Sequence, residues 1–184
     1  MNKNIIIIAG EPYSVFLELL FKSIKTKKIN KPFLLICSKN LLVNQMKRLN
    51  YNFKINNINK SKIGKIKLLK KHINILDVSF NFKKTFDKIS GKSFKYIEDC
   101  FKEGLNLTKN KNFNILVNGP ISKKYFLKKK FLGITEYVAK KSGNKGHEVM
   151  LIYNNKLSVS PVTTHLPLAE VKKNITSKKI IKNV

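Results

Sequence analysis

Cysteine is nearly missing from this chain: Cys37 and Cys100 are the only two among 184 residues. Neither stands in a Cys-x-x-Cys pair or at ligand spacing from a histidine, so the expectation is two buried free thiols in a reducing cytoplasm. Acidic residues are scarce as well, 10 against 38 basic ones, for a formal net charge of +28. Arginine is scarcer still. Arg48 is the only one, and the planar guanidinium fork is what reads guanine edges and clamps phosphates in pairs. The lysine excess comes with abundant asparagine and isoleucine, which reads as a bias towards A+T-rich codons that spreads charge over the whole surface. A nucleic-acid partner is therefore not expected, although such a field draws in anionic substrates. No run of about eighteen apolar residues exists, so no membrane span is expected. The apolar run at residues 5–10 is too short for a secretory core and meets Glu11 and Pro12 at once, so no signal peptide is expected either. There is no Gly-x-Gly-x-x-Gly and no Walker loop, which leaves a Rossmann-type cofactor site without support.

What is present suffices for a core: 42% of residues are hydrophobic. The length suits one domain, or one domain plus a piece of the next. The β-branched run 5–9 reads as a buried strand. Ser14 can cap a helix to about residue 25, with Phe16, Leu19, Leu20 and Ile24 on one face. A second buried strand is expected at 33–37, then a helix capped by Ser38 and carrying Leu41, Leu42 and Met46. Strand–helix–strand–helix order implies a parallel sheet with right-handed crossovers. Residues 51–90 read as a variable, loop-rich insert with one strand at 73–78. A helix at 93–109 shows Phe94, Ile97, Phe101 and Leu105 at helical spacing. A buried strand follows at 114–117, a short helix starts at Ser122, and a further helix spans 135–141. Two strands, 149–153 and 157–162, are joined by the turn Asn154-Asn155. One or two short helices are expected over 171–181.

Few residues could carry chemistry. His72 and His147 read as ordinary surface or half-buried residues. His165 stands at the end of a predicted strand, where parallel sheets place ligands, and a neutral imidazole there can bind a divalent metal. One histidine alone makes no metal site. Gly10-Glu11-Pro12 and Asn118-Gly119-Pro120 are expected to form sharp loops on one sheet edge, where glycine allows backbone to approach a ligand closely.

In chain order stand Gly10-Glu11-Pro12, then Asn118-Gly119-Pro120-Ile121-Ser122-Lys123, then Gly133-Ile134-Thr135-Glu136-Tyr137, and last Thr163-Thr164-His165-Leu166-Pro167-Leu168. This series resembles the 4-hydroxythreonine-4-phosphate dehydrogenase family of vitamin B6 synthesis, the last motif being the most specific, over about the first half of a typical member. The resemblance implies an α/β fold of three layers, α/β/α, with a mostly parallel mixed sheet like that of the isocitrate and isopropylmalate dehydrogenases. Residues 1–184 would be the N-terminal part of a two-domain enzyme, with an incomplete second domain and the family's C-terminal half absent. It implies oxidation, with decarboxylation, of 4-phosphooxy-L-threonine by NAD or NADP with one divalent metal (zinc, magnesium or cobalt). Members are cytoplasmic homodimers. His165 matches a metal-ligand histidine of the family and Thr135 a substrate-binding threonine. Ile134 stands where the family has a substrate-binding histidine, and isoleucine can neither titrate nor donate a hydrogen bond. The remaining metal and substrate ligands lie in the missing half, so this chain alone is expected to be inactive. The competing expectations are a degenerate relative that binds a phosphorylated ligand without oxidising it and a lysine-rich nucleic-acid-binding domain.

Overall fold

The computed structural model describes residues 4–60, 68–109, 113–164 and 166–183. The chain forms two compact units, residues 1–129 and 130–184.

The first unit is built on β1 (Asn4–Ile8), β2 (Phe33–Cys37), β3 (Ile55–Asn57), β4 (Ile73–Asp77) and β5 (Phe113–Asn118), in spatial order β3-β4-β2-β1-β5. Every pairing in this sheet is parallel. Helices α1 (Phe16–Lys25) and α2 (Lys39–Arg48) lie on one face, where Leu17, Leu20, Phe21, Leu42 and Met46 bury Ile7, Phe33, Leu35, Ile73 and Ile75. Helix α3 (Phe94–Thr108), preceded by a 3-10 turn at Gly91–Ser93, covers the opposite face with Ile97, Phe101 and Leu105 buried. The expected three-layer α/β/α order is thus present. Burial of aliphatic side chains on both faces is what makes β1 and β2 continuous apolar runs instead of alternating ones.

Ser38 caps α2 as expected, its Oγ accepting from the Leu41 N–H. Three local expectations are corrected. Helix α1 begins at Phe16 with Val15 as its cap residue, while Ser14 Oγ donates to the Glu11 carbonyl at 2.9 Å and accepts from the Phe16 N–H at 3.3 Å. Its core face carries Leu17, Leu20 and Phe21, with the expected Phe16 and Ile24 partly buried against the same cluster, and only Leu19 departs, pointing to solvent at 55% exposure. The segment 51–90 contributes β3 as well as the expected β4. Strand β5 is not buried on both faces, because Ile115 and Val117 are 41% and 45% exposed.

Cys37 ends β2 and Cys100 lies on α3; both are free and buried. Between their elements the Tyr96 hydroxyl accepts from the Ser38 N–H at 3.0 Å. Asn74, fully buried on β4, joins three segments. Its Nδ2 donates to the carbonyls of Phe33, Leu69 and His72, and its Oδ1 accepts from Leu69 N–H and Asn56 Nδ2.

The second unit contains α4 (Ile134–Ser142), the antiparallel pair β6 (Ile152–Tyr153) and β7 (Ser158–Val159), α5 (Leu168–Asn174) and α6 (Ser177–Asn183). The expected hairpin is there, turned through Asn154, whose N–H donates to the Leu157 carbonyl. Among the described residues it pairs only with itself, so the strand before residue 165 belongs to this hairpin and is not the strand of the parallel sheet that the sequence suggested. Among the described residues no helix is long and apolar enough to cross a membrane.

Candidate functional site

In the first unit the chain runs from β1 to β2 on one side and, through α3, from β4 to β5 on the other. The carboxyl ends of β1 and β5 therefore flank the place where the winding reverses, the position at which open parallel sheets bind ligands. Both predicted loops sit there. Gly119 N–H donates to the Ile8 carbonyl at 2.7 Å and Glu11 N–H to the Pro120 carbonyl at 2.9 Å. Gly10 has φ +76°, and a Cβ on it would lie 2.3 Å from the Pro120 oxygen; a Cβ on Gly119 would lie 2.2 Å from the Ala9 oxygen. The close backbone approach these glycines permit is thus to each other, which corrects the expectation that they serve approach to a ligand.

Glu11 is carried on this locked turn. It is 3% exposed. Its Oε2 accepts from Ser93 Oγ at 2.8 Å, and its Oε1 is buried with no hydrogen-bond partner among the described residues. Burial pushes its carboxyl above the ordinary value of 4.5, with the Ser93 hydroxyl and the Ser122 backbone opposing that rise. Because the fold favours the acid form, this group's stabilising contribution is complete below the ordinary value and disappears as pH rises through the elevated one. Glu11→Gln keeps an acceptor for Ser93 but cannot ionise. The wild-type stability minus that of Glu11→Gln is therefore expected to fall as pH rises above the ordinary value of 4.5 in urea titrations; a flat difference would refute the assignment.

In the second unit Gly133 caps α4, so Ile134 is its first residue, half-buried, and Thr135 its second, exposed. Thr135 and Thr164 line one cavity of about 280 Å³ together with Gly133, Glu136 and Glu148. The fold thus unites the segment at 133–137 with the one at 161–164. Ile134 is not among the residues that line this cavity. The Oε2 atoms of Glu136 and Glu148 are buried and have no hydrogen-bond partner among the described residues. His165 lies outside the described residues. His147 is exposed, and His72 is half-buried, its Nδ1 3.0 Å from the Lys70 carbonyl. Among the described residues no group of three or more His, Cys, Asp or Glu side chains could hold a metal ion.

Sequence reasoning passed over Ser93 and Glu148. A signal for Glu148 was available: with only 10 acidic residues in the chain, a glutamate placed directly before the apolar run Val149-Met150-Leu151-Ile152 stands apart from the lysine-rich surface.

Residues 28–184 match the family model described as pyridoxal phosphate biosynthetic protein PdxA. The 4-hydroxythreonine-4-phosphate dehydrogenase of Sulfurihydrogenibium sp. (strain YO3AOP1) is 32% identical over 181 residues, covering 97% of this chain and 54% of the relative. The protein of the same name from Wigglesworthia glossinidia brevipalpis is 29% identical over 189 residues, covering 98% and 56%. The chain spans about half the length of the curated relatives it matches. The crystal structure of a 4-hydroxythreonine-4-phosphate dehydrogenase from Burkholderia phymatum superposes with a TM-score of 0.82 at 19% identity, covering 100% of this chain and 56% of that one. The one from Klebsiella pneumoniae gives 0.80 at 15%, covering 99% and 56%. At these identities the superpositions establish the fold.

Proposed function

This chain belongs to the PdxA family of pyridoxal phosphate biosynthetic proteins, and on that premise we propose that it forms part of a dehydrogenase acting on 4-phosphooxy-L-threonine. The observation that carries the reading is the cavity shared by Thr135 and Thr164, because it joins the two motifs on which the resemblance rests most heavily.

The reaction is oxidation of the substrate's secondary alcohol by NAD or NADP, followed by loss of carbon dioxide from the β-keto acid. The cofactor accepts the hydride, and the protein supplies geometry. Within the cavity the Thr135 hydroxyl can donate to a substrate oxygen, and the Glu136 and Glu148 carboxylates can accept from an ammonium group. The divalent metal (zinc, magnesium or cobalt) belongs to the proposal through His165 alone. The described residues do not form a metal site by themselves. A cytoplasmic homodimer completes the reading, supported by the exposed apolar side chains Leu151, Ile152, Tyr153 and Leu157 at the hairpin. Exposed lysines occur on α1 and α2 and, across the sheet, on α3, which supports a diffuse surface charge over a nucleic-acid-reading face.

The 184-residue chain is expected to bind 4-phosphooxy-L-threonine without turning it over. Calorimetric titration should show binding that Thr135→Ala weakens by about tenfold, the equivalent of one lost hydrogen bond to a charged group. Binding indifferent to Thr135→Ala would sink the assignment of this cavity. Robust formation of reduced nicotinamide cofactor with added zinc or magnesium would overturn the expected inactivity. The second reading, a non-oxidising relative, is favoured by Ile134 at the family's histidine position; a large gain from near zero in a longer gene product carrying Ile134→His would support it.

A further inference from the structure

Among the described residues Glu11 is the only acidic one that is buried, and its partner Ser93 is buried equally, at 3% exposure each. The proposed reaction does not use this pair. It joins three segments at the carboxyl edge of the sheet. Glu11 follows β1, and its N–H donates to the Pro120 carbonyl after β5. Ser93 closes the 3-10 turn Gly91–Ser93 that leads into α3.

The pair has too few protons when Glu11 is ionised. Ser93 Oγ lies 2.8 Å from Glu11 Oε2 and 3.0 Å from the Ser90 carbonyl oxygen. A hydroxyl has one proton to give. With a carboxylate at Glu11 both neighbours are acceptors, and only one of them receives it. With Glu11 protonated the set closes: the carboxyl donates to Ser93 Oγ, and Ser93 donates to the Ser90 carbonyl. Glu11 Oε1, buried with no partner among the described residues, favours the same state. An unpaired carboxylate oxygen costs far more in a buried site than the unpaired carbonyl oxygen of an acid.

Charge around the pair lies at the surface. Asp87, Lys88 and Lys92 on the approach to α3 are exposed, as is Lys123 after β5. Glu18 and Lys22 pair with each other on α1, and Lys95 and Asp99 on α3. Tyr13 on the same loop is half-buried, and α2 brings only the neutral amide of Gln45, which donates to the Pro12 carbonyl at 2.9 Å. None of these charges governs the Glu11 proton; burial does, with the Ser93 hydroxyl and the Ser122 backbone opposing it.

We propose that Glu11 and Ser93 form a proton-operated latch on the turn into α3. Closed, the chain of bonds runs from the Glu11 acid through Ser93 to Ser90. When the proton passes to water, the Ser93 O–H swings to the carboxylate, the Ser90 carbonyl loses that bond, and water enters to pair Oε1. The turn then loosens. Tyr13, Ser90 and Ser93 line one cavity, so acidity sets how firmly its wall is held. The inference does not rest on the dehydrogenase reading.

Glutamate isotopically labelled at its side-chain carboxyl carbon reports the proton by NMR in the intact chain, and Glu11→Gln identifies the signal by its loss. The Glu11 carboxyl should titrate above the ordinary value of 4.5. A glutamine amide supplies as N–H the donor that the acid supplies as O–H, so Glu11→Gln keeps the latch closed at every pH. Hydrogen exchange at amides 90–94 is then compared between wild type and Glu11→Gln at each pH, which cancels the intrinsic effect of pH on exchange. The ratio should rise by about fivefold, the equivalent of one ordinary hydrogen bond, in step with the carboxyl signal. In α2 it should stay within about twofold. In Ser93→Ala the carboxyl still titrates, but exchange at 90–94 no longer follows it. Circular dichroism checks that each variant folds; where one does not, the α2 amides of wild type serve as the reference for its own turn. Ionisation of Glu11 at the ordinary value, a flat ratio while the carboxyl titrates, or the same rise in Ser93→Ala would overturn the proposal.

Discussion

Gly119→Ala is expected to cost about 3 kcal/mol or more of stability, the upper end of overpacking penalties. The added methyl would sit 2.2 Å from the Ala9 carbonyl oxygen, 2.9 Å from its carbon and 2.9 Å from Phe16 Cγ. Two of those atoms are backbone, so no rotamer change relieves the clash. The turn must instead withdraw from β1, giving up the bond from Gly119 N–H to Ile8 and the one from Glu11 N–H to Pro120. Against a total stability of about 5–15 kcal/mol for an ordinary domain, that loss should be plain in a urea titration. Gly91→Ala is the control, since its nearest neighbour would be 4.0 Å away, and it should stay within about 0.5 kcal/mol of wild type. Equal midpoints for the two variants would show that the turns are not locked together.

Asn74→Leu should be nearly as damaging, at about 3 kcal/mol, because it removes one partner from several buried polar groups at once. The leucine fits the strand but leaves the Leu69 N–H and the carbonyls of Leu69 and His72 without the amide that now pairs them. It also frees Asn56 on β3, whose amide donates to Asn74 at 2.9 Å. Hydrogen exchange should show the added opening first at β3 and at residues 69–72. A loss confined to α1 or α2 would contradict this account.

Asn74 also shows where reading a sequence stops. It lies inside an apolar run, Ile73-Asn74-Ile75-Leu76, so the strand is legible and the reason for its polar member is not. That reason lies in partners brought together by the fold: Phe33 on β2, Asn56 on β3 and the loop at 69–72. Strand β3 was missed for a related cause: Ile-Asn-Asn has no strand signal of its own, and its pairing is decided by β4. On α1 only Leu19 departs from the expected face, because Leu17, Leu19, Leu20, Phe21 and Ile24 together exceed one helical stripe, and only the position of the sheet selects among them. Strands β1, β2 and β4 were legible because both-sided burial demands β-branched and leucine runs. For the site, motif order was legible from residue identities. The burial of Glu11 and the meeting of Thr135 with Thr164 were not, since each depends on segments joined only in the folded chain.

The two thiols give the molecule a built-in clock. Burial pushes Cys37 well above its ordinary range and Cys100 up to about 12, and both sulfurs are shut away between β2 and α3. At neutral pH neither is ionised and neither can be reached, so chemistry at sulfur waits for molecules that have left the native basin. The pace at which an alkylating reagent consumes them therefore measures how often the α/β core comes apart.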